Sequence, residues 1–368
     1  MHADRFRHLL DTDGPFASVY FDDSHDTEDA AAQRELKWRG LREQLEEQGA
    51  APEIVSDLER AILDARPAVG RSGRGLVAGP RGVLLNEHLI RPAPATVVRV
   101  SDLPYLVPIV EHGVQHIDYL TVAVDHAGAD LTIHRGGRTD KETVDGGGHP
   151  VHHASSAETP GYGDPQRRSD EASRKNIRVV VDRIAALVDE SNIEVVFVIG
   201  EVSSRSDLLA ELPERVSKLA VSLQAGARNS GNHDEEAAAA IHEEFLKRRL
   251  AVMDDAAQRF TAELGRESGL ATEGLHGVCA ALRQGAVETL IIGELGDATV
   301  VAGDDLTTIA PNENVLSEQG VAPTRTLRAD EALPMAAVAT DASLVRTDER
   351  ISPRDGIGAV LRYAPPHL

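Results

Sequence analysis

The sequence predicts an α/β protein built from three domains, and three observations predict it. The chain has 368 residues, more than one hydrophobic core usually organises, so it divides into two or three compact domains. Apolar runs of strand length alternate with stretches whose apolar residues recur at helical spacing. A long aperiodic stretch rich in glycine and histidine interrupts the middle of the chain. Usage is that of a globular protein, 41% hydrophobic and 27% charged, but aromatics are only 3%, so burial rests on Val, Leu, Ile and Ala.

The first domain, 1–115, is a small α/β unit. ASVYFDD (17–23) reads as a strand, followed by a charged helix from Thr27 to Glu47 and a second from Pro52 to Ala65. GRGLVAG and RGVLLNEHL are short strands split by the turn signal Gly79-Pro80, and RPAPATVV crosses onward with Pro-stiffened geometry. The middle domain, 116–268, opens with an antiparallel meander of YLTVAVD, DLTIHRGG and KETVD. After the long loop, 145–170, comes a helix with Ile177, Val180, Val181, Ile184, Leu187 and Val188 on one face. IEVVFVIGE is apolar throughout, as a central strand covered on both sides must be, and SRSDLLAEL with LAVSLQAG repeats the order of helix then strand. A helix from Asp234 to Leu264 carries Ile241, Phe245, Val252, Ala256 and Phe260 on one stripe and closes the domain. The third domain, 269–368, reads as a small α/β/α sandwich: a helix around Leu275 to Leu282, strands VETLIIGE and ATVVAGD, a helix over 329–339, and a final strand GIGAVLRYA.

The formal net charge of −22 argues against DNA and against any binding driven by bulk basicity, because neutralising phosphates takes Lys and Arg. No domain is basic: 13 basic residues stand against 19 acidic over 1–115, 18 against 27 over 116–270, and 7 against 14 over 271–368. Yet 166–183 holds Arg167, Arg168, Arg174, Lys175, Arg178 and Arg183 against Asp170, Glu171 and Asp182, so positive charge is focused directly after the loop. The single cysteine, Cys279, excludes an internal disulfide and a thiolate zinc cluster, and reads as a small core residue. The opening MHADRFRHLLDTDG has no apolar core of a secretory signal, and no apolar run approaches the length of about 18 residues that a membrane span needs. A cytoplasmic location and no membrane contact are expected.

The loop is the sharpest anomaly. Aperiodic stretches longer than about 12 to 15 residues inside compact domains are usually functional or disordered. Gly146, Gly147, Gly148, Gly161 and Gly163 allow close backbone approach, while His149, His152, His153, Arg167 and Arg168 can donate to phosphates or stack on bases. A contact with nucleic acid or a large partner is the favoured reading, and an inert excursion the bland one. A metal site is disfavoured: the three histidines share no helix face, and His152 and His153 are adjacent. Asp22, Asp23, His25 and Asp26 stand where a strand ends and a helix begins, so they are read as caps of free N–H groups rather than cation ligands. Asp125, with Asp130 and Glu201, supplies too few converging acids for two-metal hydrolysis. No GxGxxG, P-loop, GxSxG or HExxH pattern is complete, so no metal and no nucleotide or other cofactor is called.

This order of domains, with the loop preceding a basic helix, resembles the archaeal and eukaryotic release-factor and Pelota superfamily over nearly the whole chain. GPFASVYFDDSHDT, RPAVG, NEHL, VVFVIGEV and ETLIIGELGDATVV resemble actinobacterial members of its bacterial branch, related to the hibernation factor Balon. The resemblance implies an RNase H-like mixed sheet in the middle domain. It also implies a tRNA mimic. In such relatives the first domain reaches the decoding centre, the middle loop reaches the peptidyl transferase centre, and the third domain docks a translational GTPase, EF-Tu in the bacterial branch.

Release factors carry Gly-Gly-Gln in the middle loop. Here the corresponding stretch is Gly161-Tyr162-Gly163-Asp164-Pro165-Gln166, which keeps a glutamine but replaces the flexible glycine pair with Asp164 and Pro165. Pro165 fixes φ and removes an N–H donor. The codon-reading Asn-Ile-Lys-Ser and Tyr-x-Cys motifs have no counterpart in the first domain. The resemblance therefore implies a ribosome hibernation factor with no catalytic residue. It would bind rRNA of both subunits at the vacant A site through His149, His152, His153, Tyr162, Gly163, Gln166, Arg167, Arg168, Arg174 and Lys175. Two alternatives stay open: a peptidyl-tRNA hydrolase that orients water with Gln166, and an RNA-binding protein with no ribosomal site.

Overall fold

The computed structural model describes residues 1–24, 30–64, 72–90, 95–113, 117–135, 138–145, 165–224, 233–305, 307–347 and 350–365, with the side chains of 30–32, 165–172 and 233–235 outside that description. The chain forms two compact units, Met1–Val114 with Leu250–Leu368, and Gln115–Arg249.

The first unit opens with a short 3-10 turn, Ala3–Leu9, then β1 (Phe16–Asp22), α1 (Ala30–Glu47), α2 (Pro52–Leu63), β2 (Gly73–Gly79), β3 (Gly82–Leu89), β4 (Val97–Ser101) and α3 (Val107–His112). The strands form an antiparallel sheet in the order β3-β2-β1-β4. β1 is central, so its alternating side chains enter two cores: Ala17, Val19 and Phe21 meet Trp38, Leu41, Leu58 and Ile62 of the two helices, while Phe16 and Tyr20 face the other way. The segment expected as a Pro-stiffened crossing ends in β4. Pro92 and Pro94 precede the strand rather than interrupt it, and an edge strand tolerates such a neighbour.

The second unit contains β5 (Tyr119–Val124), β6 (Gly128–Arg135), β7 (Arg138–Asp145), α4 (Pro165–Glu190), β8 (Val195–Gly200), α5 (Val202–Glu211), α6 (Glu214–Ser217), β9 (Ala220–Ser222) and the start of α7 (His233–Gly265). Its sheet runs β7-β6-β5-β8-β9, antiparallel across the first three strands and parallel from β5 through β8 to β9, the mixed sheet that was expected. α4 and α5 bury Ile177, Val180, Ile184 and Leu208 on one face. On the other, Ile241 and Phe245 of α7 pack with Phe197 and Tyr119.

Two expectations change here. The stretch expected as loop over 145–170 overlaps regular structure at both ends: Asp145 closes β7, and Pro165 opens α4, where a missing N–H is harmless and a fixed φ already suits a helix. The stripe on α7 does not serve one core. Ile241 and Phe245 belong to the second unit, Val252 is exposed, and Phe260 packs with Ile291 and Val360 in the first unit.

The first unit resumes with β10 (Ala271–Glu273), α8 (Gly274–Arg283), β11 (Val287–Ile292), β12 (Thr299–Ala302), β13 (Ile309–Ala310), α9 (Glu313–Glu318), β14 (Arg325–Arg328), α10 (Ala329–Ala339), β15 (Ser343–Arg346) and β16 (Ile357–Leu361). A sheet in the order β10-β16-β11-β15 has α8 and α10 on one face and the end of α7 on the other, and β13-β12-β14 forms a second, small sheet. Cys279 is a core residue of α8, and burial pushes its thiol up to about 12. The native protein is therefore expected not to react with a maleimide at pH 8, and to react fully once unfolded, as a thiol titration reads directly.

The sheet of the first segment and the helices of the third share one hydrophobic cluster, closed by a charged seam. Arg99 on β4 donates to Asp330 at 2.8 Å and to Glu331 at 3.2 Å, both at the start of α10, and its guanidinium lies 3.6 Å from the ring centre of Tyr105. Glu331 is 3% exposed. Burial raises its carboxyl pKa, the Asp330 charge adds to the rise, and Arg99 opposes it. A raised carboxyl pKa favours the folded state in acid, and that contribution is lost as pH rises through the folded value. Glu331→Gln is thus expected to melt above wild type at pH 7, with the difference vanishing below its ordinary pKa of about 4.3, in paired thermal melts across that range.

Candidate functional site: the stem and the basic helix

The segment 146–164 leaves β7 and returns into α4, and described residues on both sides of it converge on one turn. Asp125, at the end of β5, accepts hydrogen bonds at Oδ1 from the backbone N–H of Ala127 at 2.7 Å and of Gly128 at 2.9 Å, an Asx turn that fixes the entry to β6. Gly128 pairs with Asp145, the last residue of β7, and a Cβ at position 128 would lie 2.2 Å from the Val144 carbonyl oxygen. On the return side, Asn176 of α4 donates through Nδ2 to the carbonyl of His126 at 3.1 Å. Beside this turn, β5 and β8 end in parallel: Gly200 adopts φ +132°, and a side chain there would strike the Val124 carbonyl oxygen at 2.1 Å.

The basic segment on α4 divides into two parts. Arg174 and Lys175 are exposed, and neither is ion-paired among the described residues. Farther along, Arg178 stands 3.6 Å from Glu211, and Arg183 donates to both carboxylate oxygens of Glu142 at 2.7 and 2.8 Å, with Glu190 at 3.6 Å. The bidentate bond holds the Glu142 carboxyl below its usual range and raises the Arg183 guanidinium. Among the described residues, the basic side chains of α4 without an ion pair therefore lie toward the start of the helix. Gln166, Arg167 and Arg168 have helical backbone in its first turn, with side chains outside the description. His149, His152, His153, Tyr162 and Gly163 lie outside the described residues.

Four of the acids weighed in the sequence, Asp22, Asp23, Asp125 and Asp130, make contacts that hold the fold. Asp125 holds its turn, and Asp130 accepts from the Thr143 hydroxyl at 2.9 Å. Asp22 accepts from the Ser24 N–H at 2.8 Å. Asp23 is 1% exposed and faces the buried Arg74 guanidinium at 3.8 Å, where a buried cation demands a counter-charge. His25 and Asp26 lie outside the described residues. Among the described residues no group of three or more His, Cys, Asp or Glu is placed to hold a metal ion, and no helix is long and apolar enough to cross a membrane. The residue that the sequence reading missed is Asn176. Its signal was present, since it stands four residues before Val180 on the apolar stripe, where a polar side chain must find a partner.

Residues 118–266, the span that holds the stem and the basic helix, match the bacterial archaeo-eukaryotic release factor family 2. The chain is also 52% identical over 364 residues to the protein named Uncharacterized protein Rv2629 from Mycobacterium tuberculosis, covering 99% of this chain and 97% of that one. The chain belongs to the bacterial archaeo-eukaryotic release factor family. Solved structures similar to this release-factor relative include Archaeoglobus fulgidus Pelota, at 13% identity and TM-score 0.37, covering 98% of this chain and 91% of that one. An archaeal translation termination factor, aRF1, is similar at 14% identity and TM-score 0.25, with 98% and 97% covered. The tripeptide Gly-Gly-Gln does not occur in the sequence, and Pro165 and Gln166 lie in the first turn of α4.

Proposed function

We propose that this chain is a cytoplasmic ribosome hibernation factor that occupies the vacant A site as a mimic of tRNA and release factor. In this reading 1–115 lies toward the decoding centre, 116–268 carries 145–170 toward the peptidyl transferase centre, and 269–368 docks EF-Tu. The observation that carries the proposal is the pair Arg174 and Lys175, exposed and without ion pairs among the described residues, in a family member that lacks the hydrolytic tripeptide. Exposed cations without an ion pair among the described residues are what rRNA phosphates would attract. His149, His152, His153, Tyr162, Gly163, Gln166, Arg167 and Arg168 would extend the contact along rRNA.

The test adds purified protein to empty ribosomes and measures A-site tRNA binding. The expected result is competition that saturates at one protein per ribosome. Binding that leaves tRNA affinity unchanged would reject the A site. The competing reading, peptidyl-tRNA hydrolysis, is supported by the retained Gln166. It requires peptide release from stalled ribosomes that disappears in Gln166→Ala, whereas hibernation requires no release by wild type.

A further inference from the structure

We propose that Asn176 is a positioning residue for the rRNA contact: it locks α4, and so Arg174 and Lys175, to the turn that also holds the end of β7. The inference rests on the ribosome reading for its ligand and on described contacts for its geometry. Asn176 is 1% exposed and spans from α4 to the His126 carbonyl at 3.1 Å. The same turn is stiffened by Asp125 and pairs through Gly128 with Asp145. One short rigid turn thereby sets the separation of the two chain ends that flank 146–164.

Stability alone does not explain an asparagine at this position. Its Oδ1 is buried with no hydrogen-bond partner among the described residues, a state that native folds generally avoid. An aliphatic side chain on the same stripe would bury no unmet side-chain oxygen, and would give up the tether and its donor to the His126 carbonyl. Arg174 and Lys175 are the two residues immediately before it, so a shift or roll of the helix start displaces both cations together. A register held this way suits phosphate recognition, in which contacts to the backbone of RNA fix orientation.

The test uses the full chain and Asn176→Ala, with circular dichroism confirming a folded protein. Binding to empty ribosomes is measured against salt. If the tether positions both cations, affinity falls on the order of tenfold at physiological salt. The slope of log K against log salt becomes shallower by about 1.5, the share of two phosphate contacts. A purely structural loss lowers affinity through the folded fraction and leaves the slope unchanged, which would overturn the proposal. Independently of ribosomes, spin labels on Asp145→Cys and Lys175→Cys are expected to give one narrow distance distribution with Asn176 and a broadened one with Asn176→Ala. The same distribution in both proteins also overturns it. Failure of the wild type to bind ribosomes rejects the ribosome reading and this role in rRNA contact with it, while the label distances separately decide the tether.

Discussion

Reversing both exposed cations, Arg174→Glu with Lys175→Glu, is expected to weaken binding to empty ribosomes by about 100-fold at physiological salt. Each reversal removes one phosphate contact and adds one repulsion, so the loss exceeds that of two neutral truncations. The salt dependence must flatten at the same time, because fewer counterions are released. The melting temperature is expected to stay within about 2 °C of wild type, since substitutions at exposed positions shift stability by only a few tenths of a kcal/mol. Ribosome pelleting across a salt series reads the first two effects, and a thermal melt reads the third. Unchanged affinity would remove the basic helix from the binding surface.

Arg99→Ala has the largest expected effect on stability. Asp330 and Glu331 are 8% and 3% exposed, and removing the cation between them leaves two buried carboxylates facing each other. Breaking a buried ion pair on one side costs about 3 to 5 kcal/mol. The lower end applies here, because Arg328 still donates to Asp330 at 3.1 Å and the Arg99 side chain is itself 24% exposed. The midpoint of the first unit should fall on the order of 10 °C. Arg99→Met, which restores packing against Tyr105 but no charge, is expected to recover little of it. A full recovery would show that the seam is held by packing alone.

How far the fold was legible depended on where each residue type sends its side chain. β1, β5, β6 and β8 were readable because apolar residues either alternate or run unbroken, and α2 and α4 because their apolar stripes repeat at helical spacing. β14 was not readable: Arg325-Thr326-Leu327-Arg328 buries only Leu327 deeply, and its strand state comes from pairing with β12. The start of α4 was hidden for a related reason, since Pro165 to Arg174 has almost no apolar residue from which a period could be counted. On α7 the period was correct and its meaning was not, because one stripe serves two cores in succession.

The candidate site was legible in part. The basic segment could be counted from the sequence, but which of its cations the fold pairs could not. Arg183 finds Glu142 across 41 positions of chain, and only the fold of β7 against α4 brings them together. Asn176 carried a visible mark, a polar residue on an apolar stripe, yet its partner is a backbone carbonyl in a turn 50 positions away, which no side-chain pattern announces. The family followed from wording spread over the whole chain, and the missing tripeptide from a single departure at Asp164 and Pro165.

Imaging ribosomes isolated from starved cells that make this protein tests the hibernation role most directly. The expected result is vacant ribosomes with the chain in the A site, Arg174 and Lys175 against rRNA phosphates, and the segment after Asp145 directed toward the peptidyl transferase centre. Recovery of the chain only in the ribosome-free fraction, or on ribosomes with the A site empty, would contradict it.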